Sequence, residues 1–133
     1  MNEIRAARQT SGLPHIWGVP EGYDAFLLAR RLSEHDGPLL HVARDDAEMA
    51  RIGEQLAFIA PDAEILRFPA WDCLPYDRVS PNPAIVAERV ATLTCLLEKP
   101  TRPRIVLTTV NGLIQRVAPR RAFAGQSLNI ATG

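Results

Sequence analysis

The sequence has few of the features that mark an exported or membrane-bound protein. It contains only two cysteines, Cys73 and Cys95, which are too few for a disulfide framework and lack CxxC spacing. No run of 18 apolar residues occurs, and the N-terminus has no apolar segment typical of a signal peptide. We therefore expect a cytoplasmic protein with reduced thiols and no membrane contact.

The sequence also lacks net charge, because 15 basic residues balance 15 acidic ones. No overall field therefore favours nucleic acid as a partner. The three histidines have no spacing typical of metal ligands, so we expect no metal site. Several arginines crowd the C-terminal third: Arg102, Arg104, Arg116, Arg120 and Arg121. Such a patch can contact phosphate, but we favour a solvated face or an ion-paired contact with a neighbouring domain.

Strand and helix patterns alternate along the chain. Apolar segments at residues 15–19, 39–43, 63–68 and 104–110 are typical of buried strands. Helical patterns follow them: one capped by Asp24, one from Asp45 with capping-box spacing to Glu48, one over residues 84–97, and a short one over residues 112–117. This alternation predicts an α/β fold with three layers, a mainly parallel sheet with helices on both faces.

The length of 133 residues allows one domain with a real core. We expect residues 1–14 to form an arm or surface helix and residues 15–126 to form the α/β domain. Residues 127–133 resemble the first strand of a following domain that is cut off. That strand has no predicted partner, so it is expected to be a stub.

The first strand-to-helix turn has the register of a phosphate-binding loop without its chemistry. A loop of the form G-x-x-x-x-G-K-[ST] over residues 18–25 begins correctly at Gly18. Gly22 lies one position before the second glycine, where Tyr23 stands instead. Asp24 replaces the lysine and Ala25 replaces the magnesium-binding hydroxyl. We therefore expect a degenerate phosphate loop, no cofactor and no catalytic residue.

A second unusual segment, residues 68–83, combines prolines with large aromatic residues. Asn82 and Pro83 are typical of an N-cap and first helical position, so a helix is expected to start there. We expect Trp71, Leu74 and Tyr76 to pack against the sheet or the following helix. Asp72 and Asp77 are expected to anchor the loop, because no metal ligand or partner acid is near them in sequence. The residues assigned to this structural site are Trp71, Asp72, Leu74, Pro75, Tyr76, Asp77, Ser80 and Arg89.

Four parts of the sequence together carry a resemblance to a known family. They are the turn from Gly18, the W-D-x-L-P-Y-D loop of residues 71–77, the Arg89 helix and the segment T-V-N-G-L-I-Q-R-V of residues 109–117. They resemble the N-terminal region of the bacterial transcription-repair coupling factors (Mfd). That region in turn is similar to the first domain of the excision-repair subunit UvrB, whose phosphate loop is intact. The resemblance implies a degenerate copy of a phosphate-loop NTPase-like fold.

The resemblance also implies a function and partners. The longer proteins are ATP-dependent DNA translocases that couple excision repair to stalled RNA polymerase, and the domain after this region recruits UvrA. This chain is expected to be a non-catalytic scaffold module that contacts other domains of its parent and meets UvrA, RNA polymerase and DNA through them. Two alternatives stay open: an active nucleotide hydrolase domain, and an unrelated α/β domain that binds a small molecule.

Overall fold

The computed structural model describes residues 16–73, 78 and 80–123. Three strands are present in this part of the chain: β1 (Leu39–Ala43), β2 (Glu64–Phe68) and β3 (Arg104–Thr109). The helices are α1 (Tyr23–Glu34), α2 (Asp46–Ile59), α3 (Pro83–Cys95) and α4 (Val110–Ile114), followed by a 3-10 turn, Arg120–Ala122. No helix in the described ranges is long and apolar enough to cross a membrane.

The sheet is parallel and has the order β1-β3-β2. Ile105 of β3 pairs with Leu39 of β1 on one side and with Ile65 of β2 on the other. Every residue of β3 is buried, as expected for a central strand covered on both faces. The α/β fold predicted from the sequence is confirmed.

Helices α1 and α2 cover one face of the sheet. Their apolar side chains form the main core with the strand residues that point to this face. Ile52, Leu56, Ile105 and Leu107 are fully buried there. The spacing of Met49, Ile52 and Leu56 along α2 explains this, because residues three and four apart share one face of a helix.

Helices α3 and α4 lie on the opposite face. The sequence predicted that Val86, Val90, Leu93 and Leu97 would form the buried stripe of α3. That prediction was wrong for Val90, which is exposed, whereas Arg89 and Thr92 are the buried residues of this helix. Polar contacts explain which face of α3 is turned toward the sheet, since the Thr92 hydroxyl donates to the Arg67 carbonyl of β2 at 2.6 Å.

Polar side chains cap the first turns of α2 and α3. The Asp45 carboxylate accepts the Glu48 N–H at 2.8 Å, and the Asn82 side chain accepts the Ala84 N–H at 3.0 Å. Both caps agree with the sequence prediction. The predicted cap at Asp24 was wrong: Gly22, with a left-handed φ of 85°, is the N-cap of α1, and Asp24 lies inside its first turn.

Three other expectations need correction. Residues 16–19 form no strand beyond a single bridge at Ile16, because Gly18 at φ 74° turns the chain after only two residues. The last α-helix in the described part of the chain is α4, which begins two residues before the predicted range because Thr109 caps it by accepting the Gly112 N–H. Arg104 belongs to no surface patch: it is buried, and it binds the Glu64 carboxylate. The predictions for residues 1–14 and 127–133 lie outside the described residues.

Candidate functional site

The turn that leads into α1 is the first candidate site. It lies beside the carboxyl end of β1, where ligands commonly bind in open parallel sheets. An open cleft of about 490 Å³ is present between this turn and the start of α2. Val19, Pro20 and Glu21 line one side of the cleft, and Arg44, Asp45 and Ala47 line the other.

The centre of this site is an ion pair between Asp24 of α1 and Arg51 of α2. Arg51 donates from Nη2 to Oδ2 at 2.7 Å and from Nη1 to Oδ1 at 3.2 Å, a bidentate arrangement. Asp24 Oδ1 also accepts the N–H of Ala25 at 2.9 Å. The hydrogen bonds from Arg51 hold the pKa of the Asp24 carboxyl below its ordinary value, although partial burial opposes this.

The same pair determines what the turn can bind. One backbone N–H at the start of α1 and the Arg51 guanidinium are donors that a phosphate would use. Both already donate to Asp24, and Arg51 also donates to the Gln55 side chain at 2.9 Å. The remaining charged groups that line the cleft are mostly acidic: Glu21, Asp45 and Glu48 against Arg44. The cleft is therefore unfavourable for a phosphate group.

The other residues of the predicted loop lie in different surroundings. Tyr23 does not line the cleft; its ring stacks on Phe26 with centroids 6.0 Å apart. The Tyr23 side chain therefore lies outside the lining of the cleft. Ala25 is completely buried in the core, so the position of the magnesium-binding hydroxyl is filled by a packed methyl group. A Cβ on Gly22 would lie 3.1 Å from Gln55 Nε2, so the inner side of the turn is occupied by protein.

The second candidate site is the base of the proline loop, and its centre is Arg89. The guanidinium lies 4.0 Å from the centroid of the Phe68 ring and 4.3 Å from that of Trp71. Its Nη1 donates to the Pro69 carbonyl and to Gln115 Oε1. Burial lowers the pKa of Arg89, but two cation–π contacts and two hydrogen bonds favour the charged form.

Gln115 connects two of the segments that carry the resemblance, the loop of residues 71–77 and residues 109–117. Its Oε1 accepts the backbone N–H of Trp71 at 2.8 Å and also the bond from Arg89. The sequence did not single out Gln115 as a site residue. Its contact with Trp71 spans 44 residues of sequence, so no local pattern could reveal it. The one signal in the sequence was its place in the segment of residues 109–117.

The far side of the loop is held by Asp72. Its carboxylate accepts the Asn82 N–H, with distances of 3.2 and 3.3 Å to the two oxygens. Asp72 is thus bound to the backbone at the start of α3. Trp71 is half-buried and Ser80 is exposed. Leu74, Pro75, Tyr76 and Asp77 lie outside the described residues.

The described residues contain no constellation suited to catalysis. No group of three or more His, Cys, Asp or Glu side chains within the described ranges could hold a metal ion. Tyr23 and Trp71, which the small-molecule alternative would place around one pocket, do not share the cleft beside α1. The contacts of Arg89, Asp72 and Gln115 hold the chain together rather than aim reactive atoms at an open space.

Comparison with proteins of known function gives a consistent result. The chain is 32% identical over 110 residues to the transcription-repair-coupling factor of Escherichia coli (strain K12), covering 82% of the chain and 9% of that protein. It is 32% identical over 143 aligned residues to that of Myxococcus xanthus, covering 100% of the chain and 11% of that protein. For Rickettsia bellii (strain RML369-C) the identity is 30% over 89 residues, or 67% of the chain and 8% of that protein.

No protein-family profile matches the chain. The resemblance predicted from residues 71–77 and 109–117 is nevertheless confirmed by these relatives. The chain spans about a tenth of the length of the curated relatives that it matches.

Proposed function

We propose, since this chain is homologous to part of the transcription-repair coupling factors, that it is a non-catalytic scaffold module of such a protein. In this role it takes part in DNA repair that is coupled to transcription. It neither binds nor hydrolyses ATP itself. It supplies a rigid α/β unit on which other parts of a longer polypeptide are arranged.

The observation that carries this proposal is the bidentate pair of Asp24 and Arg51. In a working phosphate loop a lysine neutralises the phosphates and a hydroxyl holds magnesium. Here a carboxylate stands at the lysine position and holds the nearest cation. Repulsion between this carboxylate and one phosphate charge about 4 Å away costs about 1 kcal/mol in bulk water and about 4 kcal/mol near a protein surface. Each 1.4 kcal/mol lost weakens binding about tenfold.

The proline loop supports a structural role in a second way. Arg89 and Asp72 each bind backbone groups of the chain, so their charges are used within the fold. Side chains that serve catalysis must instead reach a substrate. A segment whose most distinctive residues bind one another is suited to presenting a fixed surface.

The proposed partners follow from the relatives and from the resemblance. We infer that the module lies beside a domain that recruits UvrA, and that RNA polymerase and DNA are met through the rest of a longer protein. Direct binding of DNA by this segment is expected to be weak. The chain has zero net charge, and Arg51 and Arg104 are paired within the fold, which reduces the basic surface available for it.

Calorimetric titration of the chain with a magnesium–ATP analogue tests the proposal. We expect no saturable heat up to millimolar concentration, while an ATPase with an intact phosphate loop gives a normal isotherm under the same conditions. Saturation in the micromolar range that is lost in the Gly18→Val and Gly22→Val variants would contradict the proposal and favour the nucleotide hydrolase. Saturation that these substitutions do not alter would favour a small-molecule site elsewhere.

A further inference from the structure

The described part of the chain covers only part of the sheet face that carries α3 and α4. Helix α3 packs over β2, and α4 is five residues long and lies at the carboxyl end of β3. Leu40 of β1 points to this face and is 58% exposed, whereas Val106, its partner on β3, is 7% exposed. The open area is therefore the part of the face above β1, beside the buried strand β3.

This open area is an apolar groove of about 300 Å³. Its floor consists of strand residues. Its walls are Leu93 of α3 and Leu96 at the C-cap of that helix, with Leu113 of α4 and Val117 from the segment after α4. Leu113 is 52% exposed and Val117 is 47% exposed. Among the described residues, none that lines the groove is charged. Thr108 is the one polar side chain that these residues contribute to the lining, and its hydroxyl already donates to the Phe68 carbonyl at 2.7 Å.

The chemistry of the groove restricts what can occupy it. It offers no free hydrogen-bonding side chain, so a polar ligand would lose its bonds to water without replacement. A peptide without secondary structure would bury its own unsatisfied backbone groups there. An α-helix satisfies its backbone internally and needs to bury only side chains.

The exposed side chains of the groove suit a helix as the occupant. Leu40 of β1, and Leu113 and Val117 on the opposite wall, each leave about half of their surface exposed. The apolar stripe of one amphipathic helix can cover such a group of side chains.

We propose that this groove is the docking surface for an amphipathic helix from another part of the same longer polypeptide. The helix presents an apolar stripe of aliphatic side chains to Leu40, Leu113 and Val117. This inference rests on the proposed function. The relatives are about ten times longer than the segment they share with this chain, so they contain further chain that can supply such a helix. An uncharged lining is typical of permanent contacts rather than transient ones, which favours a part of the same protein over a separate partner.

Hydroxyl-radical footprinting read by mass spectrometry tests the proposal, because it measures the solvent exposure of individual side chains. The chain is compared alone and inserted into the Myxococcus xanthus relative in place of the segment that it matches. We expect labelling of Leu40 and Leu113 to fall about fivefold or more in the longer protein, since burial below about a tenth of the surface replaces exposure above one half. Phe58, which is 88% exposed on α2, is the internal control and should not change.

A matched pair of variants gives a second readout. Leu40→Gln should shift the melting temperature of the isolated chain little and that of the longer protein clearly more, whereas Phe58→Gln should act equally in both. Unchanged labelling of Leu40 in a folded longer protein would overturn the proposal. If the longer protein does not fold with the inserted chain, footprinting of the unaltered relative at the positions aligned with Leu40 and Leu113 decides in the same way.

A dilution series of the isolated chain tests whether a second copy of the chain occupies the groove. Low labelling of Leu40 at high concentration that rises on dilution would show that a second copy covers the groove, and this too would overturn the proposal. None of these readouts depends on nucleotide. A chain that binds ATP would therefore contradict the proposed function without altering the outcome for the groove.

Discussion

At the scale of single residues, Arg89 has the most unusual position in the molecule. It is 2% exposed, and among the described residues no carboxylate pairs with it. A buried charge is costly unless nearby groups compensate for the lost water. Here the guanidinium lies over the rings of Phe68 and Trp71, and Gln115 and the Pro69 carbonyl accept its hydrogen bonds.

The Arg89→Ala variant should therefore be strongly destabilised. We expect its free energy of unfolding to fall by about 3 kcal/mol, because packing between the rings is lost and a buried carbonyl loses its donor. The stability of Arg89→Lys should lie between that of the unaltered chain and that of Arg89→Ala. The lysine ammonium keeps the charge but has no planar group to stack on the rings. Urea denaturation measures both, with Arg30→Ala on the exposed side of α1 as the control. Equal stability of Arg89→Ala and Arg30→Ala would rule out this role.

His41 is the residue that should make stability depend on pH. It lies on β1 facing α1 and α2, and its Nε2 is buried without a hydrogen-bond partner in the described part of the chain. Burial lowers the pKa of His41 and nearby Arg51 acts in the same direction, while Glu48 and Asp24 oppose them. The unfolded chain, with an ordinary pKa of about 6.5, then binds a proton more readily than the folded chain.

The sign follows from this difference in proton binding. The contribution of neutral His41 to the free energy of unfolding is fully present above the pKa of the unfolded chain. It is lost as the pH falls through about 6.5, by at most about 1.4 kcal/mol per pH unit for one group. His41→Gln should remove this part of the loss between pH 7.5 and 5.5 in urea denaturation series, whereas His35→Gln at an exposed position should not. A His41→Gln variant with the same slope as the unaltered chain would show that other groups cause the acid sensitivity.

At the scale of helices and strands, two glycines in helices should respond oppositely to the same substitution. A Cβ on Gly112 of α4 would lie 2.5 Å from Thr108 Oγ1 and 3.1 Å from the Phe68 carbonyl oxygen. A Cβ on Gly53 of α2 would lie 3.2 Å from Arg67 Nη2, the end of a flexible side chain, and 3.4 Å from Leu107 Cδ1. The first position cannot relax without moving the strands.

Gly112→Ala should therefore destabilise the fold by about 2 kcal/mol, although alanine favours a helix over glycine by about 1 kcal/mol. Gly53→Ala should be neutral or slightly stabilising, because Arg67 can move away and the gain in helix propensity remains. Thermal unfolding of the two variants side by side tests this contrast. If both variants melt at the same temperature, the close approach of α4 to β2 and β3 is not what restricts Gly112.

The elements that could be predicted from sequence are those with local signals. Asp45 and Asn82 cap helices through bonds to residues two or three positions away, so their pattern is visible in the sequence. The buried face of α3 could not be predicted from its apolar spacing. Its orientation depends on Arg89 and Thr92, whose partners lie 20 or more residues away in the chain.

The residues of the candidate site also differ in whether the sequence alone could reveal them. The absence of the lysine and the hydroxyl of a phosphate loop, at Asp24 and Ala25, is visible from residue types alone. The cation that binds Asp24 could not, because Arg51 lies 27 residues further along the chain and only the packing of α1 on α2 brings them together. The same holds for Gln115, which reaches the proline loop only because α4 follows β3 and leads the chain back past the carboxyl end of β2.

At the scale of the whole molecule, the two faces of the sheet differ in how completely they are covered. The face under α1 and α2 holds the main core, while the other face is closed over β2 and open over β1. β3 is bonded to a strand on each side, and β1 pairs only with β3 in the described part of the chain. The two strands should therefore contribute unequally to the resistance of the isolated chain to local opening.

Native-state hydrogen exchange should reveal this inequality. Amide protons of β3, such as those of Ile105 and Leu107, should exchange only through global unfolding, with the free energy measured by urea denaturation. Amides of β1 should exchange through local opening, at a free energy about 1–2 kcal/mol lower, because Leu40 and Val42 lose little burial when the strand detaches. Leu107→Ala should lower the values for both strands by about 2–5 kcal/mol, since it weakens the core that both depend on. β1 amides that exchange as slowly as those of β3 would mean that β1 does not open independently, and that the groove above it is closed even in the isolated chain.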